Sequence, residues 1–243
     1  MGTTITENRA MADADPHFAD LVMKLWRARR AKSVVADRRS EVYAMMVESV
    51  PRVGTGGRAV AGGRTIRTSV VPEKVTRSVS SAAVKKASPQ AWRAAQRTVS
   101  RVSTTAPKTL TVPSAVELGL RLPAMPSQGN RWDRDLAEVL RRYDMLKDGP
   151  YAEAEESAKA ALTAYAVAEL GFDESLGGDP AGWDGTPITF ADGWKVGLAA
   201  RLFSGDALRE TDPALWERLA VEKVTPGYER LYVVDGVDPD LEG

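Results

Sequence analysis

Apolar side chains recur at three- and four-residue steps near the start of the chain: Phe18, Leu21, Val22, Leu25, Ala28, Val35, Val42, Met45 and Met46. That stripe predicts one long amphipathic helix over about 17–50, stopped at Pro51. Leu21, Ala28, Val35 and Val42 keep a seven-residue step. Their companions Leu25, Lys32, Arg39 and Met46 include two cations, so the stripe reads as a helix packed on its own domain rather than a coiled coil. Five glycines between 54 and 63 make a loop, and the period then changes. Thr65 to Val71 is rich in β-branched residues, Pro72-Glu73-Lys74 reads as a turn and Val75 to Ser80 as a returning strand, which together predict a β-hairpin. Residues 81–100 predict helix, restarted at Ser88-Pro89, and Thr109 to Val112 a closing strand.

Residues 113–130 hold Pro113, Pro123, Pro126 and Gly129 with little periodicity, and predict a linker. Beyond it, Trp132, Leu136, Val139, Leu140, Tyr143 and Leu146 share one face of a helix over about 131–147. Gly149-Pro150 breaks it, and an Ala-rich helix over 151–170 is expected to fold back on it as an antiparallel pair. Residues 173–187 read as a loop. Ile188 to Leu202 predicts a hairpin turning at Asp192-Gly193, a helix starts at Pro213, and Arg230 to Val234 is a final strand. The fold class expected is α+β: a flexible arm at 1–16, a helix-plus-hairpin unit at 17–112, the linker 113–130, a helical-hairpin-plus-β unit at 131–234 and a tail at 235–243.

Two stretches align at a constant offset of 124. Ser80 to Trp92 and Ser204 to Trp216 share a small residue, an aliphatic, a cation, a Ser/Asp cap, a proline and a tryptophan three residues after it. This predicts an internal duplication in which Trp92 and Trp216 are buried core residues.

Charge separates the halves. Residues 1–112 carry 20 Lys and Arg against 8 Asp and Glu, about +12, and the remainder is about −12, so the whole chain nets to zero. Segment 51–112 has 12 basic residues and one acid, Glu73. Such a segment suits a polyanion or an acidic protein surface. There is no cysteine, and His17 is the only histidine, which excludes disulfides, thiolate metal sites and zinc sites built from several histidines. The acids Asp173, Glu174, Asp179, Asp184 and Asp192 lack calcium-loop spacing, and no Gly-Lys-Ser/Thr follows the glycines at 54–63. No enzyme activity, cofactor or metal is therefore expected. No apolar run is long enough for a membrane span, and the expected location is cytoplasmic.

The residues expected to meet phosphates are Arg64, Arg67, Lys74, Arg77, Lys85, Lys86, Arg93, Arg97 and Arg101. Guanidinium-rich surfaces neutralise phosphate, and with Trp92 the only aromatic in the segment, base stacking and sequence readout are not expected. The leading expectation is a non-enzymatic protein that binds DNA or its ends without sequence preference. The alternative is a virion or assembly component that self-associates into a homo-oligomer through its basic and acidic halves.

The helix near 18–50, Gly63 to Arg77, Ala83 to Trp92 and Pro107 to Val112 together form a pattern that resembles accessory proteins of tailed phages. It is similar to Gam-like host-nuclease inhibitors and to the helical tails of YqaJ-type exonucleases. The resemblance covers the first half only and rests on no diagnostic string. It implies a non-catalytic dimer that shields DNA ends.

Overall fold

Asp15 starts the first helix: its Oδ1 accepts hydrogen bonds from the amides of His17 at 2.8 Å and Phe18 at 3.2 Å, with Pro16 in the first helical position. The computed structural model describes residues 15–49, 58–61, 64–125, 136–147, 149–170, 172 and 187–235. In order they form α1 (Pro16–Ser49), β1 (Arg58–Ala61), β2 (Arg64–Val71), β3 (Lys74–Ser78), α2 (Ser81–Ala87), α3 (Pro89–Ala94), β4 (Gln96–Thr105), α4 (Leu136–Met145), α5 (Gly149–Ala168), β5 (Ile188–Thr189), β6 (Lys195–Phe203), α6 (Gly205–Thr211), α7 (Pro213–Leu219), β7 (Val221–Thr225) and β8 (Tyr228–Asp235). The fold is α+β, with antiparallel pairing throughout the registers defined for β1, β2, β8 and for β4, β5, β6.

The chain divides into two compact units, each assembled from three stretches. The first takes 1–30, 77–112 and 151–223; the second takes 31–76, 113–150 and 224–243. This replaces the end-to-end order of 17–112 followed by 131–234. Of the two helices expected to pair, α4 belongs to the second unit, and all of α5 after Pro150 to the first. The arm before Asp15, part of the linker and the tail after Asp235 lie outside the described residues.

The first unit packs the N-terminal turns of α1 and one face of α5 on the β4-β6-β5 sheet. Phe18, Leu21, Val22 and Leu25 meet Leu162, Ala166, Val102, Val196 and Leu198, with Trp194 at the edge. Asp192-Gly193 makes the expected turn, Gly193 taking φ +91° and donating to the Phe190 carbonyl at 2.9 Å. A second cluster joins Val84 and Ala95 to Ala207, Leu208, Leu215 and Trp216.

The expected hairpin at 65–80 does not form. β2 lies between β1 and β8, while β3 pairs with β7. A two-residue hairpin needs a primed turn with positive φ, and Pro72 locks φ near −65°; none of the described non-glycine residues has positive φ. Residues 109–112 are not a strand either. The strand lies earlier, over Gln96–Thr105, where β-branched residues alternate around the buried Val102, so the helix expected to run to 100 stops at Ala94.

The 124-residue offset holds element by element. α2 and α6 coincide, Ser80 and Ser204 cap them, and Ser88 and Asp212 each end one helix and cap the next. Each of the two aligned stretches runs strand, helix, helix, strand, and strands of one pair with strands of the other, β4 with β6 and β3 with β7.

Part of the expected linker has structure. Ser114 and Glu117 form a reciprocal capping box, the Ser114 amide donating to Glu117 Oε2 at 2.7 Å. Gly119, at φ +74°, closes the turn with a Schellman pair of bonds, Leu120 amide to Ala115 carbonyl and Gly119 amide to Val116 carbonyl, both 2.9 Å.

Candidate nucleic-acid interface

Within the second unit, β8 is an edge strand of the β1-β2-β8 sheet. Its inner side chains, Leu231 and Val233, stand opposite Thr68 and Ile66. Ile66 and Leu231 are buried. Side chains alternate faces along a strand, so Tyr228, Arg230 and Tyr232 share the other face. There they stand opposite Val71, Ser69 and Arg67 of β2. All three are exposed, Tyr228 to 56% and Tyr232 to 38%.

The free edge of β8 opens onto a cleft of about 480 Å³. Arg39, Tyr43 and Met46 of α1, Tyr143, Asp144 and Lys147 at the end of α4, Arg64, and residues of β8 from Tyr228 to Val233 line it. Helical spacing puts Arg39, Tyr43 and Met46 on one side of α1. The Tyr43 hydroxyl donates to the Leu231 carbonyl at 2.9 Å and accepts from the Leu231 amide at 3.2 Å, so it occupies the edge groups that a further strand would use. The Tyr43 and Tyr143 rings lie 6.3 Å apart, and the Arg39 guanidinium sits 4.5 Å over Tyr143.

Among the described residues that line the cleft, Asp144 is the carboxylate, and Arg64 pairs with it. Arg64 hydrogen-bonds Asp144 through Nη1 and forms an ion pair with Asp235, Nε to Oδ1 3.0 Å. The hydrogen bond to Asp144 and the charges of both acids raise the Arg64 pKa against the opposing effect of burial. Arg230 and Lys147 stand exposed beside this pair. The cleft thus offers guanidinium and ammonium groups for phosphate next to tyrosine rings that can stack on bases.

The nine cations expected from the sequence are divided between the two units. Arg64, Arg67 and Lys74 belong to the second unit and the other six to the first. Arg67 stands half-buried opposite Tyr232 on β2. Arg77 pairs with Glu217 at 2.8 Å and lies 5.1 Å over Trp216. Lys85 sits 4.7 Å over Trp92, and Arg97 donates to the carbonyls of Ala94 and Gln96. Lys74, Lys86, Arg93 and Arg101 are exposed.

Cations of the basic half meet acids of the acidic half inside the single chain. Besides Arg64 and Arg77, Arg29 bonds Glu155 at 2.9 Å and donates to the Val102 carbonyl at 2.9 Å. Sequence reasoning missed Tyr43, Tyr143, Tyr228 and Tyr232 as a set, although Tyr-x-Arg-x-Tyr on a strand, with polar partners, was the local signal for the last two.

Trp216 is buried, 7% exposed, while Trp92 is only partly covered and bonds Ser81 Oγ through its indole nitrogen at 2.9 Å. Among the described residues no group of three or more His, Cys, Asp or Glu side chains converges to hold a metal, and no helix is long and apolar enough to cross a membrane. No family model, curated protein or solved structure matches the chain.

Proposed function

We propose that this chain is a non-enzymatic protein that binds DNA through its phosphates without reading sequence, in the host cytoplasm or virion of a phage-encoded system. The cleft of the second unit carries the reading: Lys147 and Arg230 stand exposed beside the tyrosines that line it, and the carboxylate among the described lining residues, Asp144, is paired with Arg64. Cations engage phosphate at any sequence, and tyrosine stacks on any base. Exposed Lys86, Arg93 and Arg101 of the first unit add phosphate-binding charge. The tailed-phage resemblance points the same way, toward a protein that covers DNA rather than one that cuts it.

A gel-shift series on mixed-sequence DNA at ~50 mM salt tests the proposal. Two unrelated sequences are expected to shift at the same protein concentration, and no shift with either would remove the reading. Self-association through the two charged halves is the weaker proposal. Arg29–Glu155, Arg64–Asp144 and Arg77–Glu217 close within one chain, so their charges call for no second copy.

A further inference from the structure

We infer that the outer face of β8 is a stacking platform for single-stranded nucleic acid, with Tyr228 and Tyr232 as base-stacking residues and Arg230 as the phosphate contact between them. The inference rests on the proposed DNA binding and names the form of DNA that the cleft takes.

Three observations carry it. The first is exposure: two large aromatic side chains on a strand that packs its other face inward are left more than a third in solvent. A ring needed only for the core would turn the other way, as Leu231 does on the same strand. The second is spacing. Residues two apart on a strand stand about 7 Å apart along it, so a guanidinium lies midway between rings about 14 Å apart. A duplex hides its base faces in its own stack and offers only phosphates and groove edges. A single strand offers base faces and phosphates alternately, which is what a Tyr-Arg-Tyr face can take up together. The third is the setting. Arg67 and Ser69 stand opposite Tyr232 and Arg230 on β2, and Tyr43 occupies the outward backbone groups of Leu231, in the middle of the β8 edge. What stands exposed is the row Tyr228, Arg230 and Tyr232.

Fluorescence anisotropy on the full chain tests this, with a labelled mixed-sequence oligonucleotide of about 15 nucleotides as a single strand, as a duplex, and as a strand carrying abasic sites. The single strand is expected to bind at least about tenfold tighter than the duplex. Tyr228→Ala and Tyr232→Ala are each expected to weaken single-strand binding about 5- to 150-fold, the range for losing one base–aromatic stack, while duplex binding stays within about twofold. Tyr228→Phe and Tyr232→Phe keep the ring and are expected to bind like the wild type. The abasic strand is expected to fall to the affinity of the duplex.

Equal affinity for single strand and duplex, with both alanine variants unchanged, would overturn the platform and leave phosphate binding standing. No binding to any of these probes would overturn the proposed function as well. An RNA strand of the same sequence is expected to bind like the DNA strand, and binding of RNA alone would keep the platform but overturn DNA as its ligand.

Discussion

The Tyr43 hydroxyl holds both backbone groups of Leu231, donating to its carbonyl at 2.9 Å and accepting from its amide at 3.2 Å, across 188 residues of sequence. One phenol thereby ties α1 to the outer edge of β8 and finishes a ladder that β2 completes only on the other side. Tyr43→Phe keeps the ring and leaves two part-buried backbone groups without their partner. It is expected to cost about 1–3 kcal/mol, read from denaturant midpoints at unchanged slope. A loss below about 0.3 kcal/mol would mean that water replaces the hydroxyl.

The two tryptophans that follow the Ser88-Pro89 and Asp212-Pro213 helix starts are expected to differ. Trp216 is buried among Leu208, Leu215 and Ala207, with Arg209 4.9 Å over its ring, so Trp216→Ala is expected to cost about 3–5 kcal/mol. Trp92 is partly exposed, and Trp92→Ala is expected to cost about 1–2 kcal/mol, in proportion to the smaller area it covers. Equal losses in thermal or denaturant melts would contradict the difference in burial.

Arg64 and Arg230 both line the cleft, but their charges are placed differently. Arg64 already faces Asp144 and Asp235, whereas Arg230 is exposed beside Tyr232. Arg230→Ala is therefore expected to lower the salt slope of duplex binding by about 0.9, one phosphate, without changing the melting temperature. Arg64→Ala is expected to leave the slope unchanged and to cost about 1 kcal/mol of stability through Asp144. Melting curves and binding titrations on the two variants check both halves.

Asp15 gives a pH signature. Burial works against its charge. Hydrogen bonds from the Tyr165 hydroxyl and from the Phe18 and His17 amides, with the His17 charge nearby, outweigh it and hold the carboxyl below its ordinary range. A depressed folded pKa means stability that is fully present above the unfolded value, about 3.9, and lost as pH falls through the folded value. Asp15→Ala is expected to be less stable than the wild type by about 1 kcal/mol at pH 7, as for a lost helix cap. The gap should narrow as pH falls through the depressed folded value. Urea midpoints at pH 7 and in acid measure it, and a gap independent of pH would contradict the role of the charge.

Local signals in the chain carried the elements well. The stripe from Phe18 to Met46 is α1, Ser88-Pro89 and Asp212-Pro213 are helix starts, and Asp192-Gly193 is a hairpin turn. Ser114 and Glu117 fit a capping box, but a single helical turn has no periodicity to mark it in the sequence. Pairing was not readable. Ile66 meets Val233 and Gln96 meets Phe203, partners more than 100 residues apart that no local window contains. The cleft was hidden for the same reason, since Tyr43, Tyr143 and Tyr232 come from three distant segments. A count of basic residues in 51–112 also could not distinguish Arg77, engaged with Glu217 and Trp216, from the exposed Lys86.

The most direct test of phosphate-driven binding is the salt dependence of DNA affinity for the wild-type chain, measured on one mixed-sequence duplex between ~50 and ~200 mM salt. Each neutralised phosphate contributes about −0.9 to the slope of log K against log salt. The cations of the cleft predict a straight line with a slope of about −2 to −4, the same for an unrelated sequence. A flat line, or a slope that changes with the sequence, would contradict binding through the phosphates.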